Sequence, residues 1–359
     1  MPTIWSAISG HGYGHAAQVV PVLNELGKLV PHLKAVLRTT VPASFFQDRL
    51  SIPWDLQSVE QDIGCVQKGP LRIDITATWE AHTRFHTQWE QRVAQEVAAM
   101  RATDPQVIVA DTPYLAGCAG REAGTSTVVL ANFTWDEVLQ PLAEPGQPHH
   151  RSILAAIRHS YGLANLALRI APGLPMPSFT KVCDVGPIAE PGASCRNELR
   201  VRLGLAETEQ LVLIGFGGIQ IDSLPWDRMK QMRGYRFIVD GRPAQTSSRI
   251  HPLSTLPYSF KTLLASVDIV LTKPGYGTIV EAVALGLPVV YVRRYNFADE
   301  PPLVAFLHRY GRGSELSLTD FVSGYWQPAF EAVQNPSSTP VSIPCTGAHD
   351  AAGYLATYF

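Results

Sequence analysis

Residues 267–292 read VDIVLTKPGYGTIVEAVALGLPVVYV, and their pattern indicates the class of fold. Residues 267–272 are an apolar run of strand length, which the turn at residues 273–277 ends. We predict a helix that starts at Thr278 and a second buried strand over residues 289–292. A strand, a helix and a strand in this order form one βαβ unit of a parallel sheet. The amides of the turn and the helix N-terminus then point beyond the first strand, which is an anion-binding arrangement.

The first part of the chain repeats this pattern. Residues 4–9 form a predicted strand, the turn GHGYGH follows at residues 10–15, and an amphipathic helix spans residues 16–29. Further along, residues 107–132 mirror residues 269–293 in the order of their elements. Strands and helices that alternate in both halves predict an α/β protein with two Rossmann-like, doubly wound parallel sheets.

A boundary between two domains is predicted at residues 171–192, where five prolines and three glycines interrupt the periodicity. The first Rossmann-like domain is expected over residues 1–186 and the second over residues 187–347. Residues 348–359 are expected to form a helix that packs back on the first domain. That domain is also predicted to contain one long helix over residues 79–100.

Composition limits the class of protein. The chain has 359 residues, of which 46% are hydrophobic, and this suffices for two cores. A formal net charge of −2 without blocks of like charge argues against nucleic acid as a partner. No apolar run approaches the ~18 residues of a membrane span, and the N-terminus lacks the features of a signal peptide. Five scattered cysteines without CxxC spacing predict reduced thiols, so we expect a cytoplasmic enzyme.

Three other kinds of site are disfavoured by residue spacing. The GHGYGH turn departs from the GxGxxG dinucleotide fingerprint and lacks the acidic residue that should follow it, so no nicotinamide cofactor is expected. The chain has no GxxxxGK[ST] loop for ATP phosphates. His82 and His86 have the spacing of two metal ligands on a helix, but no third ligand accompanies them, so no metal site is expected.

Taken together, these features resemble a known family. The paired halves, the GHGYGH turn, a second glycine loop at Gly217 and the segment KPGYGTIVEAVALGLP at residues 273–288 resemble glycosyltransferases of the GT-B fold. A well-known member is the bacterial transferase that adds N-acetylglucosamine to lipid-linked muramyl peptide. Residues 10–15 and 132–136 are also similar to the N-terminal transferase-like region of plant L-arabinokinases. The resemblance implies two domains that face a central cleft and bind a nucleotide diphosphate sugar as co-substrate, without a cofactor.

The resemblance places the donor nucleotide on the second domain. The loop after the first strand of that domain matches the family's loop over the diphosphate, and the turn of the βαβ unit supplies the other anion-facing amides. The predicted nucleotide-binding residues are Gly217, Gly218, Ile219, Gly275, Tyr276, Gly277, Thr278 and Glu281. Glu281 has two interpretations. The family implies a bond to the ribose hydroxyls, whereas Thr278-x-x-Glu281 also has the form of a helix capping box.

The donor sugar is expected to contact Asp299 and Glu300, which follow the last strand of the unit. Related transferases carry an acidic residue and often glutamine here, so the Asp-Glu pair leaves the identity of the sugar open. Arg293 or Arg294 is a further candidate to meet a phosphate.

His15 is the predicted general base. It follows the first strand, where family histidines face the acceptor hydroxyl, and an imidazole with a pKa of about 6.5 can take a proton near neutral pH. His11 in the same turn is the alternative. The residues expected to shape the acceptor side are Gly12, Tyr13, Gly14, Asp111, Asn132, Trp135 and Asp136, with ordinary packing as the alternative role of Trp135.

The function expected from these residues is a metal-independent, inverting glycosyltransferase. The favoured donor is a UDP-sugar that carries a hexosyl or N-acetylhexosaminyl group. The acceptor is a small molecule, a glycan or a lipid-linked compound, and peripheral membrane contact stays open. One alternative is a sugar-nucleotide 2-epimerase or hydrolase, for which Asp111 and Glu300 would supply acid and base. The other is a non-catalytic protein that binds nucleotide sugars.

Overall fold

The computed structural model describes residues 1–217, 224–241, 247–334 and 343–359. Within these ranges the strands are β1 (Thr3–Ala7), β2 (Lys34–Arg38), β3 (Trp54–Gln57), β4 (Val107–Ala110), β5 (Ser126–Ala131), β6 (Leu166–Ile170), β7 (Val182–Val185), β8 (Gln210–Ile214), β9 (Tyr235–Val239), β10 (Ile250–Pro252), β11 (Ile269–Thr272), β12 (Val289–Tyr291) and β13 (Gly313–Glu315). The helices are α1 (Tyr13–Leu29), α2 (Ala43–Phe46), α3 (Ile75–Thr87), α4 (Trp89–Thr103), α5 (Leu115–Ala123), α6 (Trp135–Leu139), α7 (Pro148–Gly162), α8 (Arg196–Arg202), α9 (Trp226–Gln231), α10 (Phe260–Leu264), α11 (Tyr276–Ala284), α12 (Glu300–Tyr310), α13 (Leu318–Ser323), α14 (Gln327–Gln334) and α15 (Gly347–Ala356). No helix in these ranges is long and apolar enough to cross a membrane.

The strands form two separate sheets. Over the described residues, the first sheet has the order β3-β2-β1-β4-β5-β6-β7 and the second has the order β10-β9-β8-β11-β12-β13. Neighbouring strands pair in parallel throughout both sheets. The prediction of an α/β protein with two doubly wound parallel sheets is confirmed.

Each sheet has one point at which its winding reverses. In the first sheet the chain runs outward from β1 to β3 and then returns to β4 on the other side of β1. The second sheet does the same from β8 to β10 and then to β11. Ligands of open parallel sheets bind beyond the carboxyl ends of the strands at such points. A site is therefore expected where β1, β4, β8 and β11 end.

Two segments connect the two halves of the chain, one after β7 and one before α15, and we call them the crossings. Helix α15, from the end of the chain, packs against α1 and β7, and its Ala351, Ala352 and Leu355 are fully buried. A Cβ atom on Gly347 would lie only 2.0 Å from the carbonyl oxygen of Gly186. The crossing that precedes α15 therefore touches the crossing that follows β7 backbone to backbone, which leaves no room for a side chain.

Helix α11 starts at Tyr276, which corrects the predicted start at Thr278. Gly275 is the N-cap residue, with φ of −120° and ψ of 141°, and its carbonyl accepts the N–H of Ile279 at 3.0 Å. Thr278 is therefore the third residue of the helix and cannot act as its cap.

The predicted long helix over residues 79–100 is wrong, because α3 and α4 separate at Gln88. At the break, the rings of His86 and Trp89 both stack on Tyr114, with centroid distances of 5.7 and 5.6 Å. This packing of three aromatic rings outweighs the helical propensity of the local sequence.

Candidate active site

A cleft of about 590 Å³ opens where the central strands of the two sheets end. The predicted residues that line it from the first half of the chain are Gly12, Tyr13, Gly14, His15, Asn132 and Trp135. Those that line it from the second half are Gly217, Gly275, Tyr276, Gly277, Thr278 and Asp299. The fold thus brings most of the residues singled out in the sequence around one cavity.

Some predicted residues lie away from the cleft surface. Asp111 is buried behind His15, whereas Asp136, Glu281 and Glu300 are buried and bound to other side chains. Gly218 and Ile219 lie outside the described residues.

His15 is held in the first turn of α1 by a carboxylate. Gly12 caps that helix with a φ of 106°, a conformation that glycine adopts without strain. Asp111 directly follows β4, and its N–H donates to the carbonyl of Ala7 on β1 at 2.9 Å. His15 Nδ1 lies 2.6 Å from Asp111 Oδ2. The two groups form an ion pair when His15 is protonated.

The environment of His15 favours its charged form. Burial alone would lower the pKa of His15, but Asp111, and beyond it Asp62 and Asp299, outweigh burial and raise the pKa above 6.5. Because Nδ1 faces Asp111, the ring nitrogen left for a ligand is Nε2, which has no hydrogen-bond partner among the described residues. A proton taken up at Nε2 would thus be stabilised by a carboxylate behind the ring.

His11 has a different environment in the same turn. Its ring lies edge-on to Trp135, with 5.9 Å between centroids, and its Nε2 is 3.3 Å from Gln67 Nε2. Desolvation in the cleft, together with His15 and Lys273, lowers the pKa of His11. No carboxylate in the described part of the chain is in ion-pair contact with His11. His11 therefore lacks the carboxylate that stabilises the protonated ring of His15.

Asp62 is a buried carboxylate near His15 that the sequence analysis missed. Its Oδ2 accepts hydrogen bonds from Trp135 Nε1 at 2.6 Å and from the Thr112 hydroxyl at 3.3 Å. Burial raises the pKa of Asp62 to about 6, against the opposing effects of Trp135 and His15. Trp135 is therefore fixed by a hydrogen bond as well as by packing.

Lys273 is a second missed residue, and it brings a positive charge to the cleft. Its side chain passes Gly217, where a Cβ atom would lie 3.6 Å from Lys273 Cε and 3.9 Å from its Nζ. Burial lowers the pKa of Lys273 to about 8, with Arg294 lowering it further and Asp299 opposing. No carboxylate in the described ranges forms an ion pair with Lys273. The Lys273 side chain thus lines the cleft without a carboxylate partner in these ranges.

The N-terminus of α11 faces the same cavity. No side chain caps this helix, and its first amides, at Tyr276, Gly277 and Thr278, precede the first intrahelical bond from Ile279. Helix N-termini of this kind carry a partial positive charge that favours anions. Lys273 and these amides thus bring positive charge and hydrogen-bond donors together on one wall of the cleft.

Tyr276 also has a structural role. Its hydroxyl donates to the carbonyl of Ala171 at 2.9 Å and accepts the N–H of Ile188 at 3.0 Å. Ala171 follows β6 and Ile188 follows β7, so this one side chain connects α11 to the first half of the chain and to the crossing.

Glu281 lies in the second turn of α11, away from the cleft surface. Its Oε1 is 3.2 Å from Lys261 Nζ on α10. Burial raises the pKa of Glu281, and Lys261 opposes this effect. The capping-box interpretation is wrong, because Gly275 caps the helix and Thr278 is already inside it. A ribose hydroxyl would have to reach Glu281 beside Lys261.

The two acidic residues predicted for the donor sugar have different environments. Asp299 lines the cleft, and its Oδ2 is 3.1 Å from Arg294, whose guanidinium lies 4.2 Å from the Phe297 ring centroid. Glu300 is fully buried, pairs with Arg293 and accepts the backbone N–H of Arg294 at 2.5 Å. Asp299 can therefore contact a ligand, whereas Glu300 shapes the loop that presents Asp299.

The wall of the cleft predicted to bind the acceptor is mainly aromatic, with Tyr13, Phe133 and Trp135. Asn132 Oδ1 accepts from Gln18 at 3.2 Å, which leaves the Asn132 amide to face the cavity. Tyr13 is 57% exposed and stacks on Phe45 with 5.3 Å between centroids. Asp136 points elsewhere and accepts from the Ser178 hydroxyl at 2.7 Å.

One curated protein is similar over most of the chain. No family model matches the chain. The L-arabinokinase of Arabidopsis thaliana is 30% identical over 336 residues, which are 90% of this chain and 31% of the relative. The resemblance to L-arabinokinases is confirmed, and the chain spans about a third of that protein's length.

Solved structures of glycosyltransferases share the fold. The calicheamicin glycosyltransferase CalG4 has a TM-score of 0.65 and 16% identity, covering 100% of this chain and 98% of its own. Phytolacca americana UGT2, complexed with UDP-2-fluoro-glucose and pterostilbene, has a TM-score of 0.61 and 14% identity, with coverages of 99% and 94%. MurG of Acinetobacter baumannii has a TM-score of 0.57 and 13% identity, with coverages of 99% and 98%. The chain has the GT-B fold that its sequence resembles.

Proposed function

We propose that the protein is an inverting glycosyltransferase that moves a sugar from a nucleotide diphosphate sugar to an acceptor hydroxyl. One arrangement carries this proposal. The His15–Asp111 pair of the first half shares a cleft with Lys273, which has no carboxylate partner among the described residues, and with the N-terminus of α11 from the second half. A base on one wall and an anion site on the other are what a single displacement at an anomeric carbon requires.

The first chemical role falls to His15. Its Nε2 accepts the proton of the acceptor hydroxyl while the acceptor oxygen attacks the anomeric carbon. Asp111, 2.6 Å from Nδ1, stabilises the imidazolium that forms. The bond between the anomeric carbon and the diphosphate oxygen breaks on the opposite face, so the configuration inverts. The proton remains on His15 until the product leaves.

The second role is to stabilise the leaving diphosphate. Lys273 and the amides of Tyr276, Gly277 and Thr278 supply positive charge and hydrogen-bond donors in a partly buried site, where such interactions are stronger than in bulk water. These groups take the part that a metal ion has in other transferases. We therefore expect the rate of transfer to be unchanged by a chelator.

UDP is the favoured donor nucleotide. Support comes from Phytolacca americana UGT2, which has the same fold and whose structure holds UDP-2-fluoro-glucose. Asp299, held by Arg294, is the group we assign to a hydroxyl of the transferred hexosyl or N-acetylhexosaminyl unit. The acceptor belongs on the aromatic wall, where Tyr13 and Trp135 offer stacking surfaces beside His15.

A 2-epimerase or hydrolase fits the cavity less well. That chemistry would need Asp111 and Glu300 at the sugar, but Glu300 is fully buried against Arg293 and Arg294. Asp111 is likewise screened from the cleft by His15. The two carboxylates are therefore not presented as an acid and base pair.

A direct test is to incubate the purified protein with a panel of nucleotide diphosphate sugars and acceptor alcohols. Mass spectrometry would follow the released nucleoside diphosphate and the glycosylated acceptor. The proposal predicts that both products form in equal amounts, with and without a chelator. Donor binding without turnover would favour a nucleotide-sugar sensor, and a donor altered at a sugar carbon would favour an epimerase.

A further inference from the structure

Asp62 joins three of the elements that end at the cleft. It lies in the connection between β3 and α3 and is only 6% exposed. Through its Oδ2 it binds Trp135, the first residue of α6, and Thr112, which lies just beyond β4. The hydroxyl of Ser9 beyond β1 also stabilises the Asp62 carboxylate, and Ser9 accepts the backbone N–H of His11 at 3.3 Å. Asp62 thus connects the segments that follow β1 and β4 to the start of α6.

Asp62 also determines the charge around His15. The groups that face His15 are Asp111 from the end of β4, Asp62 from the β3–α3 connection, Asp299 from the second half, and His11 from its own turn. The Trp135 ring, which Asp62 holds, lies 6.4 Å from the His15 ring. Asp111 and Asp62 are both buried, so water screens their charges weakly.

We propose that Asp62 is a positioning residue for sugar transfer. It holds Trp135 against His15 and, together with Asp111, forms a pair of buried anions that stabilise the imidazolium produced by proton transfer. This inference rests on the proposed function of the cleft. The acceptor proton ends on His15 Nε2, and Asp62 stays ionised throughout. Two anions behind one histidine make it a stronger base than a single carboxylate would.

The charge states are consistent with this role. Burial raises the pKa of Asp62 to about 6, and hydrogen bonds from Trp135 and Ser9 and the charge of His15 limit the rise. The charge of Asp62 is one of the causes that raise the pKa of His15 against the effect of burial. Removal of the Asp62 charge must therefore move the titration of His15 to lower pH.

The informative variant is Asp62→Asn, because an amide oxygen can still accept the Trp135 N–H while the charge is lost. Glu96→Gln is the matched control. Glu96 is also a buried carboxylate, but it is paired with Arg38 and is not among the charges that act on His15. The His15→Gln variant identifies the His15 resonance among the 11 histidines of the chain.

The test is an NMR titration of histidine-labelled protein. We expect the His15 midpoint to move to lower pH in Asp62→Asn and to stay unchanged in Glu96→Gln. In the wild-type protein, the His15 resonance should also sense a second ionisation near pH 6, that of Asp62. This second reading does not depend on the variant being folded. An unmoved midpoint in folded Asp62→Asn, or no second ionisation in the wild type, would overturn the role of Asp62.

The same titration separates this inference from the proposed function. It reads a proton equilibrium and needs neither donor nor acceptor, so it stands even if no transfer is found. If transfer is found, the acid limb of kcat/KM should move to lower pH in Asp62→Asn, in parallel with the NMR midpoint. A transfer assay that fails while the midpoint moves would contradict only the proposed glycosyltransferase activity.

Discussion

The proposed transfer requires two residues of the cleft to hold opposite protonation states. His15 can take the acceptor proton only when its imidazole is neutral, and Lys273 can stabilise a diphosphate only when its amine is protonated. Carboxylates raise the pKa of His15 above 6.5, while burial lowers the pKa of Lys273 to about 8. The pH range in which His15 is neutral while Lys273 is protonated is therefore narrow.

We predict a bell-shaped dependence of kcat/KM on pH. The rising limb reports the loss of the His15 proton and has its midpoint above pH 6.5, and the falling limb reports the loss of the Lys273 proton at about pH 8. The measurement is a rate profile at constant ionic strength. Lys273→Arg should abolish the falling limb, because arginine stays charged. A profile without a rising limb would argue against His15 as the base.

Lys273 can be tested by binding alone. Lys273→Met should weaken the affinity for a nucleoside diphosphate by about ten- to a hundredfold, because a hydrogen bond to a charged group contributes about 1.5–3 kcal/mol. Calorimetry with UDP would measure the change. Lys34→Met is the control, since Lys34 is paired with Asp55 away from the cleft and its loss should leave binding unaltered. Equal effects of the two variants would contradict the assignment of Lys273.

Single residues differed in how well the sequence located them. His15 and Asp299 could be placed at the cleft because each lies in the loop that follows a predicted strand, and parallel strands bring their carboxyl ends to one edge. Lys273 was visible only as part of a turn, and its lack of a carboxylate partner among the described residues is a property of the tertiary structure. Asp62 lies in a long irregular connection, and its sequence shows no periodic pattern from which the position of Asp62 in the fold could be predicted. Glu300 follows Asp299 directly, yet the start of α12 buries it.

At the scale of elements, α11 both presents amides to the cleft and connects to the first half of the chain. Its first residue, Tyr276, makes two hydrogen bonds to backbone groups of Ala171 and Ile188. A ligand at the N-terminus of α11 therefore binds next to the crossing between the two sheets. A relative movement of the two halves would therefore change the surroundings of an anion bound there.

The Tyr276 hydroxyl should contribute measurably to stability. Tyr276→Phe leaves the Ile188 N–H and the Ala171 carbonyl without a partner, which should lower the free energy of unfolding by about 1–3 kcal/mol. Urea unfolding would report the loss. Tyr325→Phe is the control, since Tyr325 is 65% exposed and its hydroxyl should contribute little. If both variants unfold at the same urea concentration, the hydroxyl does not tie α11 to the crossing.

Elements with a strong hydrophobic pattern in the sequence were predicted correctly, whereas elements with a weak pattern were not. The strands predicted over residues 4–9, 267–272 and 289–292 are short apolar runs bounded by glycine or polar turns, and they appear in the structure as β1, β11 and β12 within one or two residues of these limits. β7 falls inside the proline-rich stretch that was read as a boundary, and α3 and α4 were merged because no proline or glycine marks Gln88. Contacts distant in sequence decide both cases.

At the scale of the whole molecule, the candidate site exists only because two sheets meet. In the proposed function each half supplies an incomplete set: the first half contributes His15 as the base, and the second contributes Lys273 and the α11 amides as the anion site. The repeated βαβ pattern predicted both sheets. The order of the strands and the cavity between the halves depend on contacts between strands that are distant in sequence, which no local pattern encodes. Closure of such a cleft around the substrates would exclude water from the reacting atoms.

The most direct test compares donor affinity and transfer rate in the same samples of wild-type protein and His15→Gln. The account predicts that donor affinity is unchanged, because the nucleotide binds the opposite wall, while turnover falls by about 10²- to 10⁴-fold through loss of the base. A loss of donor affinity that equals the loss in rate, or a rate that survives the substitution, would contradict the assignment of His15 as the base that activates the acceptor.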